Sequence, residues 1–207
     1  MGEDKETKTR LIESARTEFA EKGYMKASLR KICADAGVTT GALYFFFRDK
    51  EDLFAAIVQQ PLDELKQLLL GHFTLEKEMS MSEVYEHIEE GHDELSEALI
   101  HHLYTNYDAF MLLITKAQGS QFDNCIDEMV DMTEAAYRAM SESMARQLPG
   151  KRVNSYMLHW LTHMIIDAFI HLITHEPDEK KALGIMNRIM NFLVGGWMVL
   201  VFDEKKR

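Results

Sequence analysis

Apolar residues recur at three- and four-residue spacing along nearly the whole chain, and no stretch sustains alternation with a period of two. That spacing turns one stripe of each segment toward a core, so the chain is predicted to be all-α. Leu11, Ile12, Ala15 and Phe19 share one face of a first helix, expected to end at Gly23. A short helix over 28–35 follows, with Ser28 as N-cap and Leu29, Ile32 and Cys33 inside. Ala36-Gly37-Val38 reads as a tight turn. Thr39 then caps a second short helix with Leu43 and Phe47 inward, and Asp49 caps another, whose Glu51 and Asp52 suit the positive end of its dipole.

Beyond this point the helices lengthen. One runs toward Gly71, interrupted or bent at Pro61, which cannot donate its backbone hydrogen bond. Another begins near Ser80 or Ser82 and reaches about Leu103. A third starts near Asp108 and stops at Gly119. A fourth, from Phe122 to Pro149-Gly150, turns Ile126, Met129, Thr133, Ala136, Met140 and Met144 inward. The last two cover roughly 153–174 and 178–201. The final one is apolar on nearly every side, so it is either central or packed on another subunit. These elements divide into a three-helix head, 1–50, and a larger helical domain, 51–207.

The stretch "VTTGALYFFFRDKEDL", 38–53, asks why a glycine-bearing turn leads into a tyrosine and three phenylalanines. Two short helices about an "AGV" turn, packed on a preceding helix, form a helix-turn-helix signal. In that arrangement the second helix lies in the DNA major groove and its N-terminal residues meet base edges. Thr39 and Thr40 then supply hydroxyls, and Gly41 permits close approach to the DNA backbone. Leu43 and Phe47 hold the helix on its own core. Tyr44 offers a phenolic hydroxyl to a phosphate, and Lys50, with the amides of its helix's first turn, adds an anion contact.

The segment from Thr9 to Phe54, "TRLIESARTEFAEKGYMKASLRKICADAGVTTGALYFFFRDKEDLF", resembles the DNA-binding region of the tetracycline-repressor-like (TetR) family of bacterial transcriptional regulators. The likeness runs through Ala15 and Phe19, Gly23-Tyr24, Ile32, Ala36-Gly37-Val38, Thr39, Gly41, Leu43-Tyr44, Phe47, Lys50-Glu51 and Leu53. It covers about the first quarter of the chain, with a weaker echo in "FMLLITKAQGSQFDN", 110–124. The resemblance implies phosphate contacts from Ser28, Thr39, Tyr44 and Lys50. It implies base-edge or groove contacts from Arg30, Thr40, Gly41, Ala42 and Phe45. Position 46, often a phosphate-binding histidine in the family, is Phe46 here; it either packs or meets a thymine methyl.

Charge refines this picture. The net charge of −11 lies wholly beyond Leu53: residues 1–53 hold ten Lys/Arg and ten Asp/Glu, the remainder 13 and 24. A neutral head can touch phosphates while the acidic body is repelled. The 46% hydrophobic content of the 207 residues excludes a disordered chain. Cys33 and Cys125 form no disulfide pattern, which fits a reducing cytoplasm. "MGEDKETKTR" has no apolar core of a secretory signal. The longest apolar run, near 192–202, is half the ~20 residues of a membrane span, so no membrane is expected.

In the body, His159, His163, Asp167, His171 and His175 stand at successive i+4 positions. Each adjacent pair could chelate a metal, but i+4 steps drift by ~40° on a helix of 3.6 residues per turn. The five therefore read as a polar seam at a helix–helix contact rather than one metal site. A di-iron carboxylate bundle needs two Glu-x-x-His motifs, and only Glu89-x-x-His92 fits, so no enzyme and no cofactor is expected. Tyr104, Tyr107, Phe110, Met111, Phe122, Met129, Tyr137 and His163 are candidates for a pocket. The resemblance implies a small-molecule effector between the helices of this domain and a homodimer through the last two helices, where Gly195-Gly196 allows close approach. The expected protein is a cytoplasmic repressor, released from a palindromic operator in double-stranded DNA by an apolar or cationic molecule. Its heads would enter major grooves ~34 Å apart or a multiple of that. The alternative, for which Phe46 and the net charge speak, is a small-molecule- or metal-binding helical protein with a non-functional head.

Overall fold

The computed structural model describes residues 2–76 and 94–205. In chain order its elements are α1 (Gly2–Lys26), α2 (Leu29–Asp35), α3 (Thr40–Phe46), α4 (Lys50–Glu76), α5 (Glu94–Thr105), α6 (Tyr107–Lys116), α7 (Cys125–Gln147), β1 (Lys151–Val153), α8 (Ser155–His175), α9 (Glu179–Val201) and β2 (Phe202–Glu204). The fold is α-helical as expected, with one small addition in β1 and β2. The Ser80 or Ser82 helix start and the Glu89–His92 pair lie outside the described residues.

The chain forms two compact units. The first comprises Met1–Glu64 and Asn106–Ile126. Its core is built from Leu11, Ala15 and Phe19 of α1, Ile32 of α2, Leu43 of α3, and Leu53 and Phe54 of α4, all fully buried. Phe19 meets Phe54 edge-on at 4.9 Å, and Tyr24 meets it at 5.3 Å. At Gly23, the expected end, α1 breaks with φ 73° and ψ 163°, a backbone shape open chiefly to glycine, and one further turn carries it to Lys26. The unit is larger than the 1–50 head because α6 packs on α1 and Phe122 lies 5.9 Å from Phe54. The helix α4 is continuous through Pro61 and reaches Glu76 rather than stopping near Gly71.

The second unit comprises Leu65–Thr105 and Asp127–Arg207. One core cluster joins Met144 of α7, Leu158, Leu161 and Ile165 of α8, and Leu193, Trp197 and Val201 of α9. A second joins Ile100 of α5 to Leu172, Ala182 and Met186. Each large apolar side chain so buried contributes ~1.5–3 kcal/mol. The inner face of α7 takes in Met129, Thr133 and Met144 as expected, with Val130 and Ser141 beside them. By length and composition α8 could cross a membrane. In this fold six of its residues, including Leu158, Thr162 and Ile173, are core.

The strands pair antiparallel, with Lys151 opposite Glu204, Arg152 opposite Asp203 and Val153 opposite Phe202. Ion pairs at 2.7 Å (Lys151–Glu204) and 2.8 Å (Arg152–Asp203) bind the two ends of the α8–α9 hairpin. The histidine series splits as helical drift requires. His159 and His163 meet at 4.6 Å, and His171 and His175 stack at 4.2 Å. The His159 ring forms a 2.6 Å hydrogen bond with Glu134 of α7, which also accepts from Arg138. These two partners, His159 foremost, lower the pKa of Glu134. Among the described residues no three potential ligands gather closely enough to hold a metal ion.

Candidate nucleic-acid interface

The helix-turn-helix is built by three local devices. Ser28 caps α2, its Oγ accepting the Lys31 N–H at 3.4 Å, and its own N–H donates to the buried Glu18 carboxylate at 3.0 Å. At the other end of α2, Gly37 adopts φ 66°. The Gly37 N–H reaches the Ala34 carbonyl at 3.1 Å and the Val38 N–H the Cys33 carbonyl at 2.9 Å, which closes the helix and reverses the chain. Thr39 then caps α3, its Oγ1 accepting the Ala42 N–H at 3.1 Å. Ser14 of α1 donates to the Ile32 carbonyl at 2.9 Å and holds α2 against α1.

These devices divide the side chains of α3 cleanly. Leu43 and Phe47 are buried, whereas Tyr44 is 56% and Phe45 76% exposed. Thr39, Thr40 and Gly41 are exposed on the same helix, and Ala42 is half-buried. Phe46 is half-buried and packs edge-on against Phe45 at 4.9 Å, so its ring serves the aromatic row of α3. Arg30 is exposed on α2 and forms no ion pair among the described residues. The neighbouring cations are engaged: Lys31 with Asp35, and Arg48 with Asp52 at 3.3 Å. The Arg48 backbone N–H and guanidinium lower the Asp52 pKa.

Lys50 is positioned differently from a free surface cation. Its ammonium donates to the carbonyls of Tyr24 at 2.7 Å and Met25 at 3.2 Å and lies 4.5 Å from the Tyr24 ring centroid. It caps the kinked end of α1 and keeps one of its three N–H donors for another partner. Glu51, a dipole partner and part of the Lys50-Glu51 likeness by sequence, accepts from the Tyr24 hydroxyl at 2.5 Å and the Gln121 N–H at 2.8 Å. Nothing in the local spacing announced that bridge, because its partners lie 27 and 70 residues away.

The pocket candidates divide between the two units. Tyr107, Phe110, Met111 and Phe122 belong to the first unit, where Phe110 and Phe122 are core. Tyr104, Met129, Tyr137 and His163 belong to the second. There Tyr104 donates to the Glu176 carbonyl, and Tyr137 packs edge-on between Phe73 at 5.2 Å and Trp197 at 5.0 Å.

Residues 11–57 match the family model of bacterial regulatory proteins of the tetR family. The chain is 41% identical over 54 residues to the HTH-type transcriptional regulator UidR of Escherichia coli K12, covering 26% of this chain and 28% of that protein. It is 41% identical over 69 residues to the probable acrEF/envCD operon repressor of the same strain, covering 33% and 30%. The match thus spans less than a third of the curated relatives' length. Solved structures agree over nearly the whole fold. A transcriptional regulator from Aquifex aeolicus VF5 aligns with a TM-score of 0.57 at 22% identity, covering 90% of this chain and 99% of that one. PfmR from Thermus thermophilus aligns at 0.60 and 18% identity, covering 89% and 94%. The head, residues 11–57, is thus similar to the DNA-binding region of the tetR family of bacterial regulatory proteins, and the chain shares the fold of these solved regulators.

Proposed function

We propose that the protein is a DNA-binding transcriptional repressor, a homodimer that leaves its operator when a small molecule binds the second unit. The observation that carries this reading is the division of α3, with Leu43 and Phe47 buried and Tyr44 and Phe45 exposed. A helix kept only for packing has no need to present two large aromatic rings to water. In the complex, Thr40, Gly41, Ala42 and Phe45 enter the major groove, and Arg30 reaches it from α2. Ser28, Thr39, Tyr44 and the remaining donor of Lys50 hold phosphates and set the register. Phe46 backs Phe45.

Two heads require two chains. On α9, Ile185, Arg188, Phe192, Gly195 and Val199 follow the three-four spacing of a helix–helix seam, and all are exposed. Tyr156 and Trp160 of α8, 74% and 43% exposed, add to the outward apolar surface. A second copy of the same face covers both in a symmetric pair. Because α4 contributes residues to both units, it is the element through which an effector changes the heads. That requires the effector to bind two head arrangements with different affinity.

The test is selection of binding sites from a random DNA pool by the full chain, followed by titration of the selected duplex. A palindromic site is expected, bound far more tightly than random DNA. Tyr44→Ala and Phe45→Ala are expected to weaken it at least roughly tenfold, about 1.4 kcal/mol, with the helical circular dichroism unchanged. If the parent shows no preference for any duplex, the reading falls.

A further inference from the structure

Threonines inside these helices follow a common habit. Thr9, Thr17, Thr74, Thr115, Thr162 and Thr174 each return the hydroxyl to the carbonyl four residues back, at 2.6–3.3 Å. Thr133 and Ser141 on α7 break it. They are 2% and 0% exposed, and neither hydroxyl has a hydrogen-bond partner among the described residues. The indole N–H of Trp197, a residue 8% exposed, is unpaired in the same sense. Buried polar groups of native proteins are nearly always satisfied, and a helical hydroxyl has its own carbonyl at hand. Two hydroxyls on one helix that both decline it, with an unpaired indole packed on Tyr137 between them in sequence, point to a partner of another kind.

Their placement is ordered. Thr133, Tyr137 and Ser141 lie at i, i+4 and i+8 on the inner side of α7, a stripe ~12 Å long at 1.5 Å per residue. Midway along it Tyr137 packs edge-on with Phe73 of α4 and Trp197 of α9. Met144 belongs to the same core cluster as Trp197, and Met140, Met164 and Met190 pack against it. Flexible methionine side chains rearrange around an inserted molecule at low cost.

We infer that this stripe is the effector site of the regulator and that its ligand is a flat, uncharged, hydrophobic molecule with acceptor oxygens toward both ends. The inference rests on the regulator reading above and narrows its ligand. The Phe73–Tyr137–Trp197 cluster takes the ring system edge-on or face-on. The indole N–H can only donate, and the hydroxyls donate to carbonyl, ester or ether oxygens. A cation would find no carboxylate among these side chains. A carboxylate would find no lysine or arginine among these side chains.

Equilibrium dialysis of the full chain against three probes tests this: flavone, 2-phenylnaphthalene of similar shape without oxygen, and cationic ethidium. Flavone is expected to bind saturably and more tightly than the other two, and to weaken operator binding. The Thr133→Val/Ser141→Ala variant is expected to bind flavone at least roughly tenfold more weakly. Without ligand it is expected to melt ~2–4 °C higher, because its unpaired hydroxyls are gone. If that variant fails to fold, Trp197→Phe provides the same comparison of flavone binding. The inference is overturned if the variant binds flavone as tightly as the parent, if 2-phenylnaphthalene or ethidium binds as well as flavone, or if flavone does not bind. Operator binding without probe is measured alongside: its loss overturns the regulator reading, and its persistence confines failure to the effector site.

Discussion

The hydroxyl of Tyr24 donates a 2.5 Å hydrogen bond to Oε2 of Glu51, whose Oε1 accepts the Gln121 N–H at 2.8 Å. One carboxylate thereby ties the end of α1, the start of α4 and the segment after α6. Burial first, and then the Glu51 carboxylate, push the Tyr24 pKa well above its ordinary value of 10.0. A raised folded-state pKa means that the associated stability is whole below pH 10 and drains as pH rises beyond it. Tyr24→Phe is therefore expected to lower stability at neutral pH by ~1.5–3 kcal/mol, the usual worth of a hydrogen bond to a charged group. Above pH 10 the melting temperature of the parent should fall more steeply than that of the variant. Parallel curves in thermal melts across that range would refute the link.

Gly41 is a glycine that the fold does not need. It sits in the first turn of α3, and a Cβ there would meet only Thr39 Oγ1 at an ordinary 3.7 Å. Alanine stabilises a helix over glycine by roughly 0.5–1 kcal/mol. Gly41→Ala is expected to melt at the same temperature or slightly higher. Its operator affinity should nevertheless fall at least roughly tenfold, because the added methyl meets the DNA backbone. Unchanged affinity in an anisotropy titration would show that α3 does not approach that closely.

The head was legible because its signals are local. Ser28, Thr39 and Gly37 specify caps and a turn within a few residues of themselves, and the Leu43–Phe47 spacing alone assigns the inner face of α3. What escaped depends on distance in the chain. The bond from Glu51 to Tyr24, the docking of α6 on α1 and the core role of Phe122 all join segments that no periodicity connects. The three-residue strands β1 and β2 are too short to show alternation, and only their complementary charges, Lys151-Arg152 against Asp203-Glu204, hint at pairing. By spacing, Thr133 is one more inner-face residue of α7. Its unpaired hydroxyl emerges only when its neighbours are seen.

Lys50 separates a structural from a DNA-contacting role. Two of its three N–H donors hold the Tyr24 and Met25 carbonyls. Lys50→Met should therefore lower the melting temperature by a few degrees, from a loss of about 1–3 kcal/mol, as well as weaken operator binding. Tyr44→Ala, whose side chain is exposed, should weaken binding alone. A Lys50→Met protein that melts with the parent would leave phosphate contact as the residue's whole task.

The α9 seam predicts a specific failure of assembly. Phe192 and Val199 are 75% and 81% exposed, while Leu193 and Trp197 on the opposite side of the helix are buried. Phe192→Glu therefore leaves the core of the second unit in place, and its helical circular dichroism should match the parent. In a symmetric dimer the substitution appears twice, removing two apolar contacts worth ~1.5–3 kcal/mol each and setting two like charges into the seam. Sedimentation should show the parent as a dimer and the variant as a monomer at the same concentration. Operator affinity should drop with it, since two half-sites would no longer be engaged by linked heads. A Phe192→Glu protein that sediments as a dimer would move the interface off this face of α9.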